Sequence, residues 1–375
     1  MKVALVHDQL QEFGGAERVL VALKKIFPQA DVYTSFYNPN TLGVHKKYFK
    51  NWNIITSWAD KIPLLKKIYS PVRFITPWIW ESIDFSKYDL VISSSGSYMS
   101  KGVITRPETL HICYLHHQPR YLYNYETGSL HELQKYTIFR IYANLINHSL
   151  RLWDYLSSQR PDYFIANSDE TKKRVQKFYR RDATVIYPPV SISKTLSPMP
   201  YSLHPDYYLS VSRLARAKHF EVLIQAANKM KFNLKIIGSG RDENNLKSIA
   251  GPTIEFLGNL ADEEVVKLYQ NAKAFLFSAV DEEFGIAPVE AMGYGLPVIA
   301  YASGGLKETV KMGINGFLFN QLDPSSLLGQ IKKLESLAKE RYLEMRKNAR
   351  KESEKYSFEN FKKQLVNFIN SKMSS

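Results

Sequence analysis

Short β-branched runs alternate with longer segments of helical period along the whole chain, and no other feature limits its possible folds as strongly. Residues 3–6 (Val-Ala-Leu-Val) lead into a helical pattern over 16–27 and then a second short run over 31–35. A strand followed by a helix before the next strand implies parallel sheets covered by helices. Further strands are expected at 90–93, 110–115, 163–166 and 184–186, each ending at polar residues or a turn. Two proline pairs, Pro188-Pro189 and Pro198-Met199-Pro200, then bracket a stretch suited to neither helix nor strand, which places a linker at residues 190–204. Beyond it the rhythm restarts, with strands expected at 207–211, 234–237, 254–256, 274–277 and 297–300 and helices at 220–230 and 262–270. The chain of 375 residues is also long for one core, at about 150 residues per domain. The expectation is an α/β protein of two doubly wound domains that face each other. Residues 1–195 form the first, 204–352 the second, and 353–375 a terminal helix packing back on the first.

The content of 45% hydrophobic and 23% charged residues is that of a folded chain. Cys113 is the single cysteine, so no internal disulfide can form; its place in the apolar run 110–115 predicts burial and favours a reducing compartment. His7 and Asp8 interrupt the first apolar run before signal-peptide length, and no stretch approaches the roughly 18 to 20 residues of a spanning helix. A cytoplasmic protein, peripheral at the inner face of the cell membrane, is therefore expected.

The formal net charge of +14 calls for an anionic partner. It concentrates between residues 45 and 80, where Lys46, Lys47, Lys50, Lys61, Lys66, Lys67 and Arg73 interleave with Phe49, Trp52, Trp58, Tyr69, Trp78 and Trp80 around one acid, Asp60. Lysines with tryptophans suit an anionic membrane surface. Single-stranded nucleic acid would use the same chemistry, and a solvated loop region with ordinary core aromatics would have the same composition.

The sharpest motif is Asp281-Glu282-Glu283-Phe284-Gly285-Ile286-Ala287-Pro288-Val289-Glu290, which follows the expected strand 274–277. Gly285 permits close approach of a ligand to the backbone, Pro288 is tolerated in a helix's first turn, and the free N–H groups there favour an anion. Glu290 then lies on the helix, where its two oxygens can grip a vicinal diol such as a ribose. Glu282 can do the same for sugar hydroxyls, and two carboxylates at the mouth of a site also allow acid/base work. A capped helix with two solvated glutamates would read the same way.

Three further segments fall at expected strand ends, where doubly wound sheets bind ligands. Arg213 and Lys218, in the run 211–219, can neutralise a diphosphate through a guanidinium fork and a compact ammonium. Gly14 and Gly15, before the first helix, can bring backbone N–H groups to a phosphate. His116, in Tyr114-Leu115-His116-His117-Gln118-Pro119-Arg120-Tyr121, is placed to bond a sugar hydroxyl.

With these residues in view the sequence resembles the retaining glycosyltransferases of family four, whose hallmark is two glutamates spaced as Glu282 and Glu290 around a Phe-Gly pair. The resemblance is strong over about residues 207–319 and patchy before that. It implies the GT-B fold, with a central cleft between the domains, and an enzyme of the hexosyltransferase class. It also assigns roles: Glu290 to the ribose, Glu282 to the donor sugar, the backbone of Phe284, Gly285 and Ile286 to sugar and diphosphate, and Arg213 with Lys218 to a phosphate clamp. Gly238, Leu257 and Gly258 fall to the nucleotide, with Leu257 and Gly258 near its base, and Gly304-Gly305 help close the site. Gly14, Gly15 and His116 would face the donor. The segment 116–123 is most similar to bacterial mannosyltransferases of polysaccharide and lipopolysaccharide assembly, although His117 and Gln118 stand where threonine and proline would be usual.

The resemblance implies front-face substitution with retention, without a metal or other cofactor; the sequence itself has no Asp-x-Asp and no metal-spaced Cys/His cluster. The expected donor is GDP-mannose or a UDP-sugar, and the expected acceptor a glycan or polyprenyl-diphosphate-linked glycan, with nucleic acid not a partner. The rivals are another enzyme of this architecture, an epimerase or phosphorylase, and a non-catalytic basic protein binding lipid or nucleic acid.

Overall fold

In the computed structural model, which describes residues 1–127, 136–191 and 205–373, the chain divides into two compact units. One comprises Met1–Tyr125, Leu130–Pro189 and Phe361–Ser375; the other comprises Glu126–Ser129 and Val190–Asn360. Most of the stretch expected as a linker lies outside the described residues.

The sheet of the first unit is built from β1 (Val3–His7), β2 (Asp31–Thr34), β3 (Ile54–Thr56), β4 (Leu90–Ser95), β5 (Leu110–Leu115), β6 (Tyr163–Ala166) and β7 (Thr184–Val185). Their spatial order is β3-β2-β1-β4-β5-β6-β7 and every pairing is parallel. The chain leaves β1 toward one edge and returns through β4 to the other, so the order reverses between those two strands. Ligand crevices in such sheets open at the carboxyl ends beside this reversal. The helix Phe358–Met373 closes the unit: Phe361, Leu365 and Ile369 recur at four-residue spacing on one buried stripe, and Phe361 meets Tyr114 of β5 edge-on, 6.0 Å between ring centroids.

The second unit holds β8 (Tyr207–Val211), β9 (Asn233–Ile237), β10 (Ile254–Gly258), β11 (Phe275–Phe277), β12 (Val298–Tyr301) and β13 (Gly316–Phe319). The order is β10-β9-β8-β11-β12-β13, again all parallel, with the reversal between β8 and β11. Its strands are apolar on both sides because helices cover both faces. Leu276 and Ile299 enter one core with Tyr208, whereas Phe275, Phe277, Val298 and Ala300 enter the other with Leu209. The alternation is the period of two that pleating dictates.

The basic, aromatic stretch 45–80 divides between core and surface. Phe49, Tyr69 and Trp80 are buried, with the Trp80 indole donating to the Tyr98 carbonyl at 2.5 Å, whereas Trp58 and Trp78 are exposed. Half of the aromatics that suggest a membrane surface in the sequence therefore serve the core of the first unit. Cys113 is fully buried on β5, and burial pushes its thiol up to about 12.

Candidate functional site

The loops beside the β8/β11 reversal carry Arg213, Lys218, Glu282, Phe284, Gly285 and Ile286. After β8 the chain runs through 212–219 to the helix Phe220–Met230, and after β11 it runs through 278–285 to the helix Ile286–Gly293. Backbone bonds lock the two loops together. The Val280 amide donates to the Ala217 carbonyl at 3.1 Å, and the Ser278 hydroxyl lies 2.8 and 2.9 Å from the carbonyl oxygens of Lys218 and His219. Across that seam Lys218 Nζ stands 2.5 Å from Glu282 Oε2, both side chains partly open to solvent. An ammonium and a carboxylate predicted from separate motifs thus share one charged contact.

Small residues make this packing possible. A Cβ on Gly304 would stand 1.9 Å from the Glu282 carbonyl oxygen, and one on Gly305 would stand 2.1 Å from that of Glu283. The Gly305 amide accordingly donates to the Glu282 carbonyl at 2.8 Å. Gly238 at the end of β9 has φ +128, and a Cβ there would meet the Ser212 carbonyl oxygen at 2.0 Å, so the glycine seats the start of the loop that carries Arg213. Gly258 at the end of β10 also has positive φ, but a Cβ there would meet nothing within 4 Å. Leu257 beside it is half-buried, Arg213 is exposed, and Phe284 and Glu290 are buried. The helix Ile286–Gly293 starts at Gly285, whose φ of +87 only glycine adopts freely. Arg350 donates to the Gly293 carbonyl at the far end of that helix, opposite the end whose free N–H groups suit an anion.

His219, which ends the first loop, accumulates carboxylates. Its Nδ1 is 2.8 Å from Glu221 Oε1 and its Nε2 is 2.8 Å from Glu126 Oε2. These hydrogen bonds, that to Glu221 foremost, raise its pKa to about 9.

In the first unit Gly14, Gly15 and His116 lie at the β1/β4 reversal, and a chain of polar groups that sequence reading missed links Gly14 to His116. Gly14 is the N-cap of the helix Gly15–Ile26, and its amide donates to Glu17 Oε2 at 2.7 Å. The other oxygen, Glu17 Oε1, lies 3.3 Å from His7 Nε2; His7 Nδ1 lies 3.0 Å from the Ser94 hydroxyl; that hydroxyl lies 2.7 Å from His116 Nε2. Asp8, the next residue on the strand end, accepts the amides of Gly96 at 2.9 Å, Tyr98 at 2.8 Å and Ser100 at 3.0 Å. The available signal was His-Asp at the end of one apolar run and three serines at the end of another. His117, which departs from the usual motif, turns its Nδ1 to the Gln118 carbonyl at 2.7 Å, and its ring packs where a Cβ on Gly96 would reach.

Among the described residues there is no cluster of three or more His, Cys, Asp or Glu suited to a metal, and no helix long and apolar enough to cross a membrane.

Two family models match the chain in series, Glycosyltransferase Family 4 over residues 13–194 and Glycosyl transferases group 1 over residues 202–352. An uncharacterised glycosyltransferase of Haemophilus influenzae is 27% identical over 368 residues, which is 92% of this chain and 93% of the relative. The GtfA subunit of the Streptococcus pneumoniae UDP-N-acetylglucosamine–peptide N-acetylglucosaminyltransferase is 23% identical over 265 residues, 68% of this chain; the match spans 50% of that longer protein. The crystal structure of Anabaena Alr3699/HepE in complex with UDP and glucose superposes with a TM-score of 0.71 at 19% identity, covering 99% of this chain and all of the other, a likeness of fold. Two parallel α/β sheets of this order, matched in series by the two models, make the protein a member of the GT-B superfamily of glycosyltransferases.

Proposed function

We propose that the protein is a retaining glycosyltransferase that moves a hexose from a nucleoside-diphosphate sugar to a glycan carried on a polyprenyl diphosphate at the inner face of the cell membrane, in surface-polysaccharide assembly. The observation that carries this reading is the Lys218–Glu282 contact at the β8/β11 reversal, beside the amino end of the helix Ile286–Gly293. A fixed ammonium, an exposed guanidinium at Arg213 and free helix N–H groups suit a diphosphate that gains charge as it leaves.

In the proposed reaction the bond between the sugar's anomeric carbon and the β-phosphate oxygen breaks, and its electron pair stays on the diphosphate. The acceptor hydroxyl oxygen bonds to the same face of that carbon and passes its proton to the departing phosphate oxygen. Arg213 and Lys218 stabilise the leaving charge, Glu290 binds the ribose, and Glu282 and His116 bind sugar hydroxyls. The Gly14-Gly15 loop and the turns at Gly238 and Leu257-Gly258 complete donor binding, with neither a metal nor another cofactor taking part.

Two supports bear on the donor. The His116–Tyr123 segment favours GDP-mannose, and the UDP-bound Anabaena structure favours a uridine sugar. Thermal unfolding with GDP-mannose and with UDP-sugars tests the site: one nucleotide class should raise the midpoint by several degrees, about 2 to 3 kcal/mol at a hundredfold excess over Kd. Glu290→Ala should abolish that rise. No stabilisation by any nucleotide sugar refutes the reading, and an undiminished rise in the variant refutes the ribose assignment.

A further inference from the structure

The 21-residue helix Thr137–Ser157 is inverted relative to an ordinary surface helix. Its inner face is narrow and includes polar anchors: Leu150, Asp154 and Ser157 are buried, and Asp154 pairs with Lys101. The outer face carries the apolar stripe. Ile138, Ile141, Tyr142 and Leu145 follow the i, i+3, i+4, i+7 spacing of one helical side, and all are exposed, Ile138 at 73% and Leu145 at 68%. A helix that packs on a core shows water its polar side; this one shows its apolar side.

A second exposed segment of the same unit is tied to the helix, at the edge of the stripe through Tyr142. The Tyr142 hydroxyl donates to the Pro71 carbonyl at 2.8 Å, and Arg73 donates to Asn147 at 2.7 Å, which ties the helix to the turn that presents Phe74 and Trp78. Trp78 is 60% exposed, and its carbonyl accepts from the Trp58 indole at 3.4 Å. Scattered exposed hydrophobes need no explanation, but a joined group of this size marks a contact surface.

Charge selects the partner. Between residues 137 and 153 the only formal charges are Arg140 and Arg151, and between 58 and 78 the only acid is Asp60, held 2.8 Å from Lys66. Lys61 and Arg140 are exposed beside the apolar groups. A second copy of the same cationic face would be repelled, whereas anionic headgroups are attracted at about 1 kcal/mol per basic residue. The helix falls short of a membrane span, so it suits a position in the plane of the interface, with tryptophan at the headgroup level.

We infer that the outer face of the helix Thr137–Ser157, with Phe74 and Trp78, is the surface by which the protein lies on an anionic lipid bilayer. The inference rests on the peripheral part of the proposed function and gives it a location, extending the basic stretch 45–80 to a helix beyond it.

Flotation of the full chain with vesicles of phosphatidylcholine alone and of phosphatidylcholine mixed with phosphatidylglycerol is the test, using the wild type and the double variant Ile141→Asp/Leu145→Asp. Both positions are exposed, so the variant should keep its thermal midpoint and its nucleotide-induced rise. The wild type should float with the mixed vesicles, and the variant's partitioning should fall by at least about tenfold. A variant that floats like the wild type overturns the placement while leaving peripheral attachment standing. A wild type that does not float overturns both, and the nucleotide-induced rise still decides the transferase reading. A wild-type dimer that the variant dissolves, without vesicle binding by either, assigns the face to a second copy and overturns the lipid partner.

Discussion

The Ser94 hydroxyl lies between two imidazoles, 2.7 Å from His116 Nε2 and 3.0 Å from His7 Nδ1. Where the Glu17 carboxylate accepts from His7 Nε2–H, His7 Nδ1 is the acceptor for the Ser94 hydroxyl hydrogen. Ser94 then accepts from His116 Nε2–H, which sets the tautomer of His116 and the orientation of its ring. Ser94→Ala removes the link while leaving the His116 side chain in place, so turnover should fall by about tenfold to a hundredfold with the donor KM little changed. Steady-state donor kinetics, with the pH profile of turnover, checks this; an unaltered kcat would remove His116 from the chemistry.

How much of this was legible follows from sequence separation. Arg213 and Lys218 sit five residues apart in one loop, and Glu282, Phe284 and Gly285 lie within four residues, so local spacing alone could bring them forward. The groups around Ser94 lie at positions 7, 17, 94 and 116, and only the parallel register that pairs His7 with Ser94 assembles them. Most strands were readable because β-branched runs show their period. β3 lies inside the basic, aromatic stretch 45–80, whose composition points to a surface, and β13 begins at Gly316, which weakens a strand pattern. The outward-facing surface of the helix Thr137–Ser157 escaped for another reason: a sequence pattern records an apolar stripe without its direction.

Lys218 and Glu282 neutralise each other at 2.5 Å, and an incoming diphosphate must compete with that carboxylate for the ammonium. Glu282→Gln frees the ammonium and removes a repelling charge. Calorimetry with the bare nucleoside diphosphate should then show a Kd tighter by about threefold to tenfold, within the range of a partly exposed ion pair. Turnover of the intact donor should drop by about a hundredfold as the sugar contact is lost. A variant with weaker diphosphate binding would mean that Glu282 supports the phosphate site instead of opposing it.

Two glycines of similar backbone conformation should respond differently to alanine. Gly304 and Gly258 have φ +56 and +64, but a Cβ on Gly304 would collide with the Glu282 carbonyl at 1.9 Å, whereas one on Gly258 would meet nothing within 4 Å. Gly258→Ala should cost only left-handed strain, about 1 kcal/mol. Gly304→Ala must also displace the Glu282 backbone and should cost about 3 kcal/mol. Urea unfolding of the two variants measures the difference. Equal losses would show that the Glu282 loop yields freely.

His219 supplies a pH dependence whose sign is set by its carboxylates. Hydrogen bonding to Glu221, and then to Glu126, raises its pKa from 6.5 to about 9, so the folded chain holds a proton that the unfolded chain releases earlier. The stabilisation is fully present below pH 6.5 and is lost as pH rises through about 9. His219→Gln keeps a polar side chain at this left-handed position and removes the titration. The wild-type thermal midpoint should exceed that of the variant below pH 6.5, and the gap should narrow steadily toward pH 9. A gap independent of pH over that window would mean that His219 contributes packing alone. A gap that widened toward the alkaline end would mean that the neutral imidazole is the form the fold prefers.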